Sequence, residues 1–277
     1  MDEFNTGTQY LGLILARVMG VLFSAPVFSA QGLSGRARML LALFIAMVLY
    51  PTAREVLPDL PEGPVEYALE AMSQGLIGII IGFMITIIFS AFQAAGQVFS
   101  VQMGLSFSEV LDPQAQISVP VIGTLKGMIG LLLFLVVDFQ VDGHYFPAYM
   151  HVLRALGESF AGAPTLFADL NTLRGLAKFM DQSLGVMFIT ALKIGIPIMG
   201  ILFISSATLG LMGRAAPQMN LMNMGIQLNI IVGLFVLFTL LPVVVPIMTD
   251  AFHRTYVDLG ELMKEWPRVK TDGGTTP

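Results

Sequence analysis

Gln93 and Gln97 stand one helical turn apart in a stretch, residues 71–108, that contains no Asp, Glu, Lys or Arg. An amide facing hydrocarbon without a partner costs roughly 4–8 kcal/mol on apolar-transfer scales. Two stacked amides therefore require partners or water. Along the same stretch Gly75, Gly78, Gly82, Thr86, Ser90, Ser100 and Gly104 recur at steps of three or four residues and share the glutamines' helix face. Such a stripe suits a hydrogen-bonded ladder within the chain, a seam between subunits, or the wall of a watery path. Gly78-x-x-x-Gly82 also lets helix backbones approach closely, and packing within the chain is the favoured reading of that pair.

Other polar residues are weaker candidates. Lys193 lies among Ile189, Leu192, Ile194 and Ile196, and an intramembrane charge is usually paired or functional. Acids such as Asp181 or Asp138 could pair with it, and Pro197 behind it should kink or interrupt the helix. Arg17 and Lys126 lie near the ends of apolar segments, where snorkelling to the interface is the ordinary reading. His144 and His151 could share a helix face, but no Glu-flanked metal motif accompanies them, and His253 is remote. There is no nucleophile elbow and no phosphate-binding loop. Asp112, Asp138 and Asp142 fall at or outside segment ends, which disfavours an intramembrane aspartate pair. No catalytic residue, metal site or cofactor is indicated, and the chain does not read as an enzyme.

Composition sets the elements that must position these residues. The 277 residues are 55% hydrophobic and 12% charged, and mean hydropathy is +0.78. Soluble domains carry about 25% charged residues, so a polytopic membrane protein is expected. The net charge of −5 argues against nucleic acid as a partner, and the absence of cysteine excludes disulfides and thiolate chemistry. The start, Met1-Asp2-Glu3-Phe4, lacks a basic region, so residues 10–28 read as a mature segment.

About 20 apolar residues cross a bilayer core. Candidate spans are residues 10–28, 39–57, 68–102, 117–137, 183–212 and 226–248, giving an all-α fold of about six long, kinked helices paired as hairpins. The third is overlong: residues 71–104 as one helix reach about 50 Å against a core of about 30 Å. Gly96 could break it, yet the stripe keeps phase across that glycine, which favours one helix. The loop 105–118 is polar, 138–182 is long and mixed with short helices expected, and 214–225 is polar and Met-rich. This divides the chain into a helical domain, 1–249, which includes a central loop at 104–120, and a charged tail, 250–277, helical through Trp266. Arg36 and Arg38 place the first connection inside. Six simple crossings would then put the tail outside, although it carries Arg254, Lys264, Arg268 and Lys270. The charge rule is thus not satisfied cleanly by an ordinary bundle.

Residues 213–220 read Gly-Arg-Ala-Ala-Pro-Gln-Met-Asn between two apolar spans. The block Arg214, Pro217, Gln218, Met219 and Asn220 resembles the Arg-x-x-Pro-Gln-Met/Leu-Asn signature of the FliR family, flagellar members of the type III secretion export gate. Pro26 to Arg38, Ala95-Gly96-Gln97, Gln102-x-Gly104, Asp112-Pro113, Pro120 and Gly143-His144 agree with the family pattern in order. The resemblance covers nearly the whole chain, and injectisome export-gate relatives share the Pro-Gln block. One departure follows Gly225: the family often has Phe-Pro-Leu-Lys where this chain has Ile226-Gln227-Leu228-Asn229, so no role resting on that lysine carries over.

The resemblance implies one subunit of a hetero-oligomeric helical pore in the bacterial inner membrane, at the flagellar basal body. Its partners would be FliP-type and FliQ-type subunits, an FlhB-type subunit, membrane lipid, and unfolded flagellar proteins as cargo. The family's central loop is thought to close the channel. By position that role falls on residues 104–120, including Phe107, Glu109, Leu111, Asp112, Pro113 and Gln114. Gln93, Gln97, Ser100 and Gly104 would then line a pore or subunit seam. The family's complex sits largely above the membrane plane, toward the periplasm, which would account for the overlong helix and the charge pattern. A small-solute transporter is the alternative from a different class; it would explain the stripe and Lys193 and predicts substrate binding by the isolated chain.

Overall fold

A computed structural model describes residues 2–26, 34–61, 63–103, 130–132, 134–141, 144–165, 170–215, 221–264 and 266. The elements are α1 (Asp2–Ser24), α2 (Gly35–Arg54), α3 (Pro64–Gln102), β1 (Asp138–Val141), β2 (His144–Pro147), α4 (Ala148–Gly162), α5 (Leu170–Ala215) and α6 (Leu221–Lys264). Among the described residues, five helices are long and apolar enough to cross a membrane: α1, α2, α3, α5 and α6. The fourth expected span lies mostly outside the described residues.

Local chemistry explains several boundaries. Ser34 caps α2, its hydroxyl accepting from the Ala37 N–H at 3.3 Å. The second span therefore begins at Gly35, and Arg36 and Arg38 belong to its first turn rather than to a loop. Pro64 opens α3, where a missing N–H costs nothing, and Glu66 follows in the positively polarised first turn. The 39 residues of α3 run unbroken through Gly96, as the phase of the stripe requires, for about 58 Å. Helices α5 (46 residues) and α6 (44 residues) are longer still, about 69 and 66 Å. Pro197 does not interrupt α5, and Pro242 and Pro246 do not interrupt α6. Each proline removes one backbone donor, a loss that a long apolar helix with packed neighbours tolerates. The mixed segment contains an element that helical periodicity did not suggest, an antiparallel hairpin pairing Asp138 with Pro147 and Val141 with His144.

The chain forms two compact units. The first comprises residues 1–87, 149–184 and 254–277; the second comprises 88–148 and 185–253. In the first, α1 and α2 pack together, and α2 buries only Ala42, Ala46 and Ala53. The core is made by Leu13, Ile14, Val18, Leu22, Ile81, Met84, Ile85 and Phe160. The second unit centres on Phe92, Phe99, Ile198 and Leu202 and on a run of rings, with Phe89–Phe134 and Phe134–Phe252 centroids each 6.0 Å apart.

Among the described glycines, those at 20 and 78 bring the backbones of α1 and α3 into close contact. A Cβ added at Gly20 would stand 3.0 Å from the Gly78 Cα and 2.9 Å from the Ile79 nitrogen. One added at Gly78 would run into the Arg17 carbonyl, and one at Gly82 into the Ser24 side chain. The hydroxyl of Thr86 donates to the Ser24 carbonyl at 2.7 Å, one turn further on. Gly78-x-x-x-Gly82 is thus used for packing inside the chain. Gly78→Val should destabilise the protein by about 1–3 kcal/mol or more through overpacking. Gly200→Ala, where a Cβ meets nothing within 4 Å, should preserve stability. Thermal unfolding in detergent checks both, and equal losses would remove the close-approach argument.

Candidate functional site

The small and polar stripe on α3 has two environments. In the first unit Gly78 and Gly82 are buried and Thr86 is satisfied by α1. In the second unit Gln93 and Gln97 are exposed, together with Ala94, Val98 and Val101. Ser100 is 7% exposed and donates to the Gly96 carbonyl of its own helix at 2.7 Å. The chain therefore buries the glycine end of the stripe itself and leaves the amide end uncovered. Gly104, Phe107, Glu109, Leu111, Asp112, Pro113 and Gln114 lie outside the described residues.

Arg214 is exposed in the last turn of α5. A cation at a helix C-terminus complements the helix dipole. Pro217, Gln218, Met219 and Asn220 lie outside the described residues. Within the second unit Asn229 on α6 meets two hydroxyls of α5: Ser205 donates to its Oδ1 at 2.8 Å, and its Nδ2 donates to Ser206 at 3.1 Å. Asn229 is thus a crosslink between α5 and α6.

Lys193 does not pair with Asp181 or Asp138. Its ammonium lies 3.8 Å from the Asp250 carboxylate of α6, and both side chains are about half exposed in the isolated chain. An ion pair so open contributes little, about 0–1 kcal/mol in water. Asp250 also borders an open cleft of about 540 Å³, shared with Asp138, Tyr145, Pro246, Thr249 and His253. Among the described residues no group of three or more His, Cys, Asp or Glu side chains is placed to hold a metal ion.

Arg17 is where the structure overturns the sequence reading most clearly. It does not snorkel; it is completely buried in the first unit. Its Nε donates to Gln74 Oε1 at 2.8 Å and its Nη1 to the Ser159 hydroxyl at 3.0 Å. Its Nη2 donates to the carbonyls of Ala163 at 2.8 Å and Pro164 at 3.2 Å. The guanidinium also lies 4.2 Å from the Phe160 ring centroid, a cation–π contact strengthened by desolvation. Gln74 passes the interaction on, donating to Glu70 at 2.7 Å and to the Pro164 carbonyl at 2.6 Å. An amide thus bridges the buried cation to a carboxylate one turn away. The only local sign in the sequence is Glu70 and Gln74 at i and i+4 of one helix; nothing local links position 17 to 159 or 163.

These features define a polytopic membrane protein of the all-α class, its short β1–β2 hairpin aside, with an uncovered polar helix face. The family model for bacterial export proteins, family 1, matches residues 9–255, and the chain belongs to that family. It is similar to the flagellar biosynthetic protein FliR of Escherichia coli K12, with 29% identity over 257 residues, covering 92% of this chain and 93% of that protein. It is also similar to FliR of Bacillus subtilis 168, with 26% identity covering 91% and 93%, and to FliR of Pectobacterium carotovorum, with 26% identity covering 95% and 96%.

Removing the buried cation should leave its partners unsatisfied. Arg17→Met is expected to lower stability by about 1–3 kcal/mol, because buried acceptors lose their donor. Arg17→Lys, which keeps the charge but loses the planar fork, should fall between it and the parent. Thermal or denaturant unfolding in detergent reads the order, and an Arg17→Met protein as stable as the parent would contradict it.

Proposed function

We propose that this protein is the FliR-type subunit of a flagellar type III protein-export gate. The observation that carries the reading is the family match across residues 9–255, joined to a chain that leaves Gln93 and Gln97 uncovered. An exposed pair of amides on an otherwise apolar helix needs partners, and neighbouring subunits or a hydrated lumen supply them. In this reading Gln93, Gln97, Ser100 and Gly104 line the pore or a subunit seam. Residues 104–120, with Phe107, Glu109, Leu111, Asp112, Pro113 and Gln114, help close the channel. Arg214 and Pro217–Asn220 shape the turn between the two longest helices.

The partners are FliP-type, FliQ-type and FlhB-type subunits, and the cargo is unfolded flagellar protein. Helices α3, α5 and α6, about twice the thickness of a bilayer core, suit an inner-membrane complex at the flagellar basal body that rises toward the periplasm. The many exposed large apolar side chains, among them Phe188, Phe203, Phe235 and Phe238, are surfaces for lipid or neighbouring subunits.

Affinity purification of the full-length tagged chain from native membranes tests the reading. FliP-type and FliQ-type subunits should co-purify, whereas a solute-binding chain recovered alone would favour a transporter. Deleting residues 105–118 should leave assembly intact and make membranes leak ions or small solutes. Unchanged conductance with an intact complex would argue against a closing role for the loop.

A further inference from the structure

Three consecutive carbonyls, those of Ala163, Pro164 and Thr165, follow the end of α4. The last backbone bond there runs from the Ala163 N–H to the Ser159 carbonyl at 2.9 Å. Pro164 has no N–H with which to continue the helix. Buried carbonyls at such a point need donors from elsewhere. Two come from opposite ends of the chain. Arg17 of α1 holds the carbonyls of Ala163 and Pro164. The indole N–H of Trp266, two residues beyond α6, donates to the Thr165 carbonyl at 2.8 Å in a buried bond.

The end of α6 is seated to make that bond. Leu259, Leu262 and Trp266 are all at least 95% buried. Two glycines admit the helix closely. A Cβ on Gly162, the last residue of α4, would lie 3.0 Å from the Met263 Cβ, and one on Gly175 of α5 would lie 3.3 Å from the Leu262 Cδ1. Trp266 stands outside the stretch matched by the family model, which ends at residue 255.

We infer that Trp266 is a positioning residue that acts with Arg17 to clamp the turn at 163–165, so that the end of α6 is a strap closing the first unit and not a detachable tail. The first unit is built from three stretches remote in sequence, 1–87, 149–184 and 254–277. The clamp joins all three at one turn. The unit is complete only when residue 266 is in place. Its start at α1 supplies the charged fork, and its end supplies a neutral donor with a large apolar body.

Hydrogen–deuterium exchange of the full-length protein in detergent reads the clamp directly. Trp266→Phe keeps a ring in the pocket and removes only the donor and part of the apolar area. It should speed exchange in peptides covering residues 160–175 by about tenfold, with peptides covering 78–86 unchanged. A chain ending at Trp266 should behave as the parent does. A chain ending at Lys264 should lose more protection at 160–175 than Trp266→Phe and become sensitive to protease there. Parent-like exchange in Trp266→Phe would overturn the proposal. So would a rise spread evenly over the first unit, which marks a loss of global stability and not a local release. None of these readouts depends on export activity, so the clamp and the export-gate reading can fail separately.

Discussion

A guanidinium sealed inside a cluster of apolar helices is tolerable only if its nitrogens find acceptors. Arg17, on α1, meets that demand at each of its three nitrogens by drawing on α3, α4 and the turn after α4. The requirement acts outward from there. Gln74 must orient its amide so that the oxygen faces Arg17 and the nitrogen faces Glu70 and the Pro164 carbonyl. Ser159 must accept from Arg17 while donating to Leu156 at 2.6 Å. The backbones of α1 and α3 must also come close enough for the side chain to reach, which the glycines at 20, 78 and 82 permit. Polar satisfaction and small-residue packing are thus one constraint met in one place.

The same helix shows how a single sequence pattern can serve two purposes. The stripe from Gly75 to Ser100 keeps one helical phase, yet its first half packs against α1 while Gln93 and Gln97 remain open. Glycines can be consumed by any close backbone, because they ask only for space. Glutamines ask for hydrogen-bonding partners, and the chain leaves these two facing outward. That division fits a subunit that completes its own core with small residues and keeps polar ones for an assembly.

Much of the architecture was legible because membrane solvation makes sequence signals strong. Five of the long apolar helices, the continuity of α3 through Gly96 and the packing role of Gly78 and Gly82 follow from hydropathy and period. The β1–β2 hairpin was not legible, since four-residue strands carry too short a pattern to stand out in a mixed segment. The fate of charged residues was the least legible. Arg17 and Lys193 both interrupt apolar runs, and sequence offered Arg17 an incorrect environment and Lys193 the wrong acidic partners. A charge's partner is set by long-range contact: 142 residues separate Arg17 from Ser159, and Lys193 meets Asp250 of another helix.

The sequence by itself determined the class of protein, the presence of its long apolar helices and the family, because hydrophobic period and the Pro-Gln-Met-Asn block are local properties, whereas α5 and α6 run well beyond the apolar spans expected at 183–212 and 226–248. Tertiary structure decided which polar groups are spent inside the chain. Arg17, Gln74 and Ser159 are consumed in the first unit, and Asn229 is consumed between α5 and α6. Gln93 and Gln97 are not buried. The physical reason is that a polar side chain's cost depends on the partner it reaches, and that partner is chosen by how distant segments pack.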